Sequence, residues 1–134
     1  METQNLWPDF PTEEIKGPKS ILKEQAGYLA AKTNNVLIAD VETSQFKENM
    51  IYSFYVVAPV LGNYRYKLFS IAHVASSYFP LYIDWRDDTS TERECRNKNE
   101  LTAYLKHIFN DAETIKVVSS LISQSLAEKA DQPF

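Results

Sequence analysis

The tract from Met50 to Trp85 constrains the fold of this chain most, because aromatic residues are concentrated there. It holds ten of the seventeen aromatic residues in the 134-residue sequence. Aromatic and β-branched side chains favour strands, where they pack on a pleated, half-buried surface. The tract therefore predicts β-sheet, and the short connections within it predict mainly antiparallel neighbours.

Four segments in and before this tract have the pattern of strands. Apolar and acidic residues alternate from Val36 to Thr43, whereas Met50 to Ala58 is apolar on both faces and predicts a central strand ending before Pro59. A turn at residues 61–63 leads into a strand that begins at Tyr64. The last strand carries its apolar side chains at alternate positions, namely Leu81, Ile83 and Trp85.

The strand that begins at Tyr64 changes its apolar phase partway along. Tyr64, Tyr66 and Leu68 alternate with Arg65 and Lys67, but from Phe69 onward the apolar residues occupy the other phase. An extra residue in one strand shifts every later side chain to the opposite face. We therefore expect either a β-bulge near Phe69 or a strand that is buried on both faces.

Helices are predicted before and after the sheet tract. Residues 18–33 carry an apolar stripe at helical spacing, with Pro18 at the first helical position and Asn34-Asn35 as the stop. A second helix is expected from near Asn97, which can form a capping box with Glu100, and Asp111 can cap a third. Residues 86–96 are polar and predict a loop or a frayed helix start.

These elements predict an α+β fold, a two-layer sandwich with an N-terminal helix, a four-stranded mainly antiparallel sheet and two C-terminal helices. Residues 1–17 are expected to be an extended N-terminal arm, residues 18–128 a single α+β domain, and residues 129–134 a frayed C-terminus. Trp7 and Phe10 are large apolar groups in the arm, and we expect them to lie on the domain rather than on a partner.

Charge and composition exclude several classes of protein. Lys and Arg number 14 and Asp and Glu number 18, giving a net charge of −4, and no basic run is present. Phosphate binding needs clustered cations, so no nucleic-acid partner is expected. The longest nearly apolar tract, around Val56 to Leu61, is too short to span a bilayer, so no membrane partner is expected. The first residues lack the pattern of a signal peptide, which favours a cytoplasmic protein.

No cofactor, metal or catalytic residue is predicted. The single cysteine, Cys95, rules out an intramolecular disulfide and a cysteine-rich zinc site. Five acids could bind a hard cation, but interleaved arginines favour a solvated loop: Asp84, Asp87, Asp88, Glu92 and Glu94. Asp40 and Glu42 share one face of a strand opposite the apolar side, which places them in water.

Two residues, His73 and Cys95, are of types that act in catalytic sites. His73 could serve as a base or a ligand, although a core histidine satisfied by hydrogen bonds is the more common case. Cys95 has Arg93 and Arg96 nearby, which would favour a thiolate, but an incidental thiol is the preferred interpretation. A catalytic site would need Asp84 or Cys95 close to His73.

The sequence favours a small soluble non-enzymatic protein-binding module, of the adaptor, chaperone or immunity type, that uses an aromatic-rich sheet face. The residues predicted to contact the partner are Tyr64, Arg65, Tyr66, Tyr82 and Trp85. One alternative is a small enzyme or ligand-binding domain with a site near His73. Another is a structural subunit of a homo-oligomer, ordered by its arm around a neighbour.

Overall fold

The computed structural model of the protein describes residues 3–13, 15–86 and 92–131. Its elements, in chain order, are α1 (Pro18–Lys32), β1 (Ile38–Phe46), β2 (Asn49–Ala58), a 3₁₀ turn (Pro59–Leu61), β3 (Tyr64–Val74), β4 (Leu81–Trp85), β5 (Arg93–Cys95), α2 (Lys98–Phe109) and α3 (Ala112–Ala130). The predicted α+β fold, with one N-terminal helix and two C-terminal helices, is confirmed. The sheet has five strands rather than four.

The five strands pair in chain order, β1-β2-β3-β4-β5, and each is antiparallel to its neighbours. The additional strand, β5, lies in the segment that was expected to be a loop or a frayed helix start. It has three residues, two of them charged, so it shows no apolar alternation that could have predicted it. Pairing with β4 buries Cys95 opposite Leu81.

A β-bulge in β3 explains the change of apolar phase, the first of the two explanations expected from the sequence. Phe54 pairs with Phe69, but the next residue of β2, Tyr55, pairs with Lys67, so Leu68 is the extra residue. Leu68 and Phe69 are consequently both buried although they are adjacent in a strand.

All three helices pack on one face of the sheet, here called the helix-side face. Alternate residues of β2 point into it, and the rings of Phe54 and Phe69 stack there with centroids 5.2 Å apart. The helices contribute buried side chains to the same core, among them Leu22, Leu101, Leu105, Ile108 and Leu121. The opposite face, here called the open face, carries the intervening residues of each strand. The structure is therefore a two-layer sandwich with one uncovered face.

The ends of the helices follow the predicted signals. Pro18 is the first residue of α1, and Asn34 and Asn35 after its end have φ values of 52° and 62°, the left-handed conformation that Asn tolerates. Asn97 caps α2, accepting a hydrogen bond from the Glu100 backbone N–H at 2.9 Å. Asp111 caps α3 in the same way. Of the described helices, none is both long and apolar enough to cross a membrane.

The N-terminal arm does not pack on the domain as expected. Residues 3–13 contain neither helix nor strand, and Trp7 and Phe10 are 76% and 60% exposed. Their rings contact each other, with centroids 6.0 Å apart. At the other end, α3 continues to Ala130, and residues 132–134 of the predicted frayed C-terminus lie outside the described residues.

Replacing Asn97 by Ala should destabilise the protein by about 1 kcal/mol, because the first turn of α2 loses its side-chain acceptor. Urea unfolding followed by circular dichroism measures this change. Asn99→Ala, at an exposed position in the same helical turn, is the matched control and should not destabilise. Equal loss of stability in both variants would contradict the capping role.

Candidate binding surfaces

The five residues predicted to contact a partner lie on two different faces of the sheet. Successive side chains of a strand alternate between faces, so Arg65 points to the open face while Tyr64 and Tyr66 point to the helix side. On β4, Tyr82 belongs to the open face and Trp85 to the helix side, opposite Phe69. The five therefore form no single surface.

Arg65 organises one half of the open face. Its guanidinium lies 2.7 Å from a Glu42 carboxylate oxygen and 3.2 Å from one of Asp40, both on β1. The same group stacks over the Tyr55 ring, 4.0 Å from its centroid. Asp40 and Glu42 are exposed, as expected, and Arg65 links β1, β2 and β3 across the surface. Exposed ion pairs stabilise little, but this arrangement holds the Tyr55 ring in a defined position.

The other half of the open face is a row of smaller side chains that crosses the sheet. Pairing aligns Ile51 of β2 with Ala72 of β3, and Ala72 with Tyr82 of β4. The adjacent row aligns Ser53, Ser70 and Asp84. Ile51, Ser53, Ser70 and Ala72 are only partly buried. The side chains between Tyr55 and Tyr82 are therefore short, and the middle of the open face carries no bulky group.

The helix-side tyrosines line a groove against α3. Tyr64 and Tyr66 face Val117 and Leu121 across a cavity of about 500 Å³, in which Lys116, Ser120 and Gln124 supply the polar groups. Tyr64 is half exposed and Tyr66 more enclosed. Their rings thus form part of the helix–sheet junction.

Trp85 belongs to an aromatic cluster at the start of the 87–91 segment. Its ring meets those of Tyr104 and His107 of α2 edge-on, with centroids 6.1 and 5.6 Å away, and the Arg86 guanidinium lies over it at 4.2 Å. Arg86 also forms an ion pair with Asp111, the cap of α3. Burial would raise the pKa of Asp111, but hydrogen bonds from Arg86 and the Glu113 backbone outweigh it and lower that pKa. Asp87 and Asp88 of the acidic cluster lie outside the described residues.

His73 is a buried residue whose ring nitrogens are both hydrogen-bonded. Nδ1 lies 2.7 Å from the Val74 carbonyl and 3.1 Å from that of Ser77, so Nδ1 carries the proton. Nε2 accepts from the Tyr52 hydroxyl at 3.0 Å. Burial, followed by the proximity of Tyr78, raises the pKa of Tyr52, which keeps the phenol protonated as a donor. The ring therefore ties β2, β3 and the following turn together.

Neither residue considered as a catalytic partner of His73 is placed to act with it. Asp84 pairs with Ser70 and points to the open face, whereas His73 points to the helix side. Cys95 shares the helix side but lies on β5, two strands away, about 10 Å at ordinary strand spacing. Its thiol is buried, and this burial raises its pKa despite the opposing effect of Arg93. A thiolate, which the nearby arginines could have favoured, is therefore not supported.

A cavity between the three helices and the sheet, here called the helix cavity, is a candidate site that the sequence did not indicate. It has a volume of about 440 Å³, and its floor is Phe54, Val56 and Leu68. Its walls come from α1, α2 and α3, and the two charged side chains that line it are Lys32 and Lys106. In the sequence, the three floor residues have the pattern of ordinary core positions. Only the structure shows that the helices are far enough apart to leave a cavity above them.

Replacing Tyr52 by Phe should destabilise the protein by about 1–2 kcal/mol, because His73 Nε2 is left buried without a donor. The loss should vanish at high pH. The pKa of Tyr52 is raised in the folded state. This shift stabilises the folded protein at pH values below the ordinary tyrosine pKa of 10.0, and the stabilisation is lost as the pH rises through the pKa of Tyr52 in the folded state. Urea unfolding at neutral and alkaline pH measures both effects.

Tyr64→Phe is the control for this experiment, since its half-exposed hydroxyl lies at the rim of the α3 groove. It should leave the stability unchanged. If Tyr52→Phe were as stable as the wild type at neutral pH, the hydrogen bond to His73 would contribute nothing.

The chain matches none of the protein-family models, curated proteins or solved structures with which it was compared. Its function must therefore be inferred from the surfaces described above, among which the open face and the helix cavity both carry apolar side chains.

Proposed function

We propose that this protein is a non-enzymatic protein-binding module that holds its partner on the open face of the sheet. The main support for this proposal is that no helix covers the open face. The core that attaches the helices is made of helix-side residues, while apolar side chains of the open face, such as Ile51, Val74 and Tyr82, keep part of their surface in water. Uncovered apolar areas of a sheet are typical of protein contact surfaces.

The charges of the open face favour a protein over a nucleic acid. Four carboxylates lie on its strands, against two cations, Arg65 and Lys67. The carboxylates are Asp40, Glu42, Asp84 and Glu94. Phosphate groups would be repelled by this excess of negative charge. Tyr55 and Tyr82 combine large apolar area with a polar end, a combination enriched in protein interfaces.

The outer edge of β1 supports the same proposal. This strand has nine residues, pairs with β2 without a bulge, and contains neither proline nor lysine. Prolines, bulges and charged side chains, lysine above all, are the features that keep sheet edges from pairing, and of these β1 has only Asp40 and Glu42. A partner with an extended segment could add a strand here while its other side chains contact the open face.

A catalytic or ligand-binding role for His73 has less support. Its two ring nitrogens are occupied by Tyr52, Val74 and Ser77, so neither is free to take a proton from a substrate. This geometry is typical of a histidine that stabilises the core.

Ala72→Arg should weaken partner binding at least about tenfold, because it puts a long charged side chain in the middle of the open face without touching the core. Tyr82→Ala should have a similar effect. A tagged wild-type chain would first be used to isolate the partner from cells, and calorimetry with the purified partner would then measure the dissociation constants.

Ser123→Arg is the matched control, since it adds the same charge on the exposed surface of α3. It should leave binding unchanged, as should Tyr64→Ala on the helix side. A partner that bound Ala72→Arg as tightly as the wild type would refute the open face as the binding surface.

A further inference from the structure

The N-terminal arm has the composition of a docking segment. Residues 3–13 include the exposed side chains of Leu6, Trp7 and Phe10, together with Asp9 and Glu13, and contain neither Lys nor Arg. Large aromatic groups contribute strongly to binding when they are removed from water. The arm therefore combines apolar area with negative charge and, in the isolated chain, leaves both in solvent.

The arm is also held extended. Trp7 and Phe10 each precede a proline, and the residue before a proline is restricted to extended conformations. The segment contains no glycine before Gly17. An arm that is already extended loses little conformational entropy when it binds, which favours docking as a straight segment.

The helix cavity is complementary to this arm in shape and charge. Its floor and walls offer apolar contacts from Phe54, Leu105 and Phe109, within the volume range of known binding pockets. Tyr28 and Ile115 line it while being 59% and 50% exposed. Lys32 and Lys106 are its charged groups, and among the described residues no carboxylate lines it, although the chain as a whole is acidic.

The arm meets its own domain at the N-terminal end of α1, away from the helix cavity. Glu13 and Ile15 line a separate cavity with Gly17, Lys19, Tyr52 and Tyr78, at the N-terminal end of α1. The helix cavity lies along the other half of α1, from Gln25 to Lys32. To enter it, the arm would have to turn back along α1 immediately before Pro18, whereas the arm of a second copy can approach without this turn.

We propose that two copies of this chain exchange their arms, with Trp7 and Phe10 of each copy entering the helix cavity of the other. Asp9 and Glu13 of the arm then face Lys32 and Lys106. Because each copy supplies both an arm and a cavity, a two-fold dimer satisfies both sets of contacts at once. Once one arm is bound, the second docks at a raised effective concentration. The proposal concerns the helix side of the sheet and is independent of any partner on the open face.

Reversing the charges of the arm and of the helix cavity tests directly whether the two contact each other. Lys32→Glu/Lys106→Glu and Asp9→Lys/Glu13→Lys should each weaken the dimer at least about tenfold, as measured by sedimentation equilibrium. An equimolar mixture of the two variants should dimerise as the wild type does, since each arm then meets a cavity of opposite charge. Recovery in the mixture also demonstrates that both variants are folded.

Trp7→Ala/Phe10→Ala should likewise give a monomer, while Thr12→Ala, at an exposed position of the same arm, should leave the dimer intact. In a Trp85→Phe background, the fluorescence of Trp7 reports its surroundings alone, since the chain has two tryptophans. Its emission should shift to the blue as protein concentration rises and the dimer forms.

Three results would overturn the exchange. A wild-type chain that stays monomeric at the highest concentration reached has no such dimer. A blue-shifted Trp7 at every concentration would mean that the arm enters its own cavity. A dimer that forms but is not restored by mixing the charge variants would be held together elsewhere.

Discussion

Burial of one face of β2 and β3 beneath the helices is the interaction on which the rest of the structure depends. Phe54 and Phe69 stack at its centre, and Leu22, Leu105 and Ile108 close over them from two helices. The helices come from both ends of the chain, while the strands pair in chain order. A domain of this size gains most from a single shared core, so the helices collect on one face and the other remains uncovered.

This arrangement separates the two surfaces proposed to bind other chains. The open face and the helix cavity lie on opposite sides of one layer of strands, so occupation of one does not block the other. In an arm-exchanged dimer the bound arm would lie on the opposite side of the sheet from Tyr55, Tyr82 and Arg65. The Tyr52–His73 pair lies between them in the core, where its contribution is to hold β2, β3 and the following turn in place.

Local signals predicted the features that depend on neighbouring residues. The caps at Asn97 and Asp111, the left-handed stop at Asn34-Asn35 and the bulge at Leu68 each follow from a few adjacent side chains. β5 was missed because three residues with two charges carry no periodicity, and its strand conformation comes from pairing with β4. The expectation that Trp7 and Phe10 pack on the domain was wrong, because large apolar side chains favour burial but their own sequence does not specify a surface that covers them.

By itself, the sequence determined the order of the elements other than β5, the two-layer class and the alternation of side chains along the predicted strands, because these depend on local propensity and period. The alternation of side chains puts Arg65 on one face of the sheet and Tyr64 and Tyr66 on the other, but it does not specify which face packs against the helices. Only the tertiary structure decided that, along with the placement of Asp84 away from His73 and the existence of the helix cavity. The physical reason is that faces and cavities arise from how separate elements pack, and packing is a relation between residues far apart in the chain.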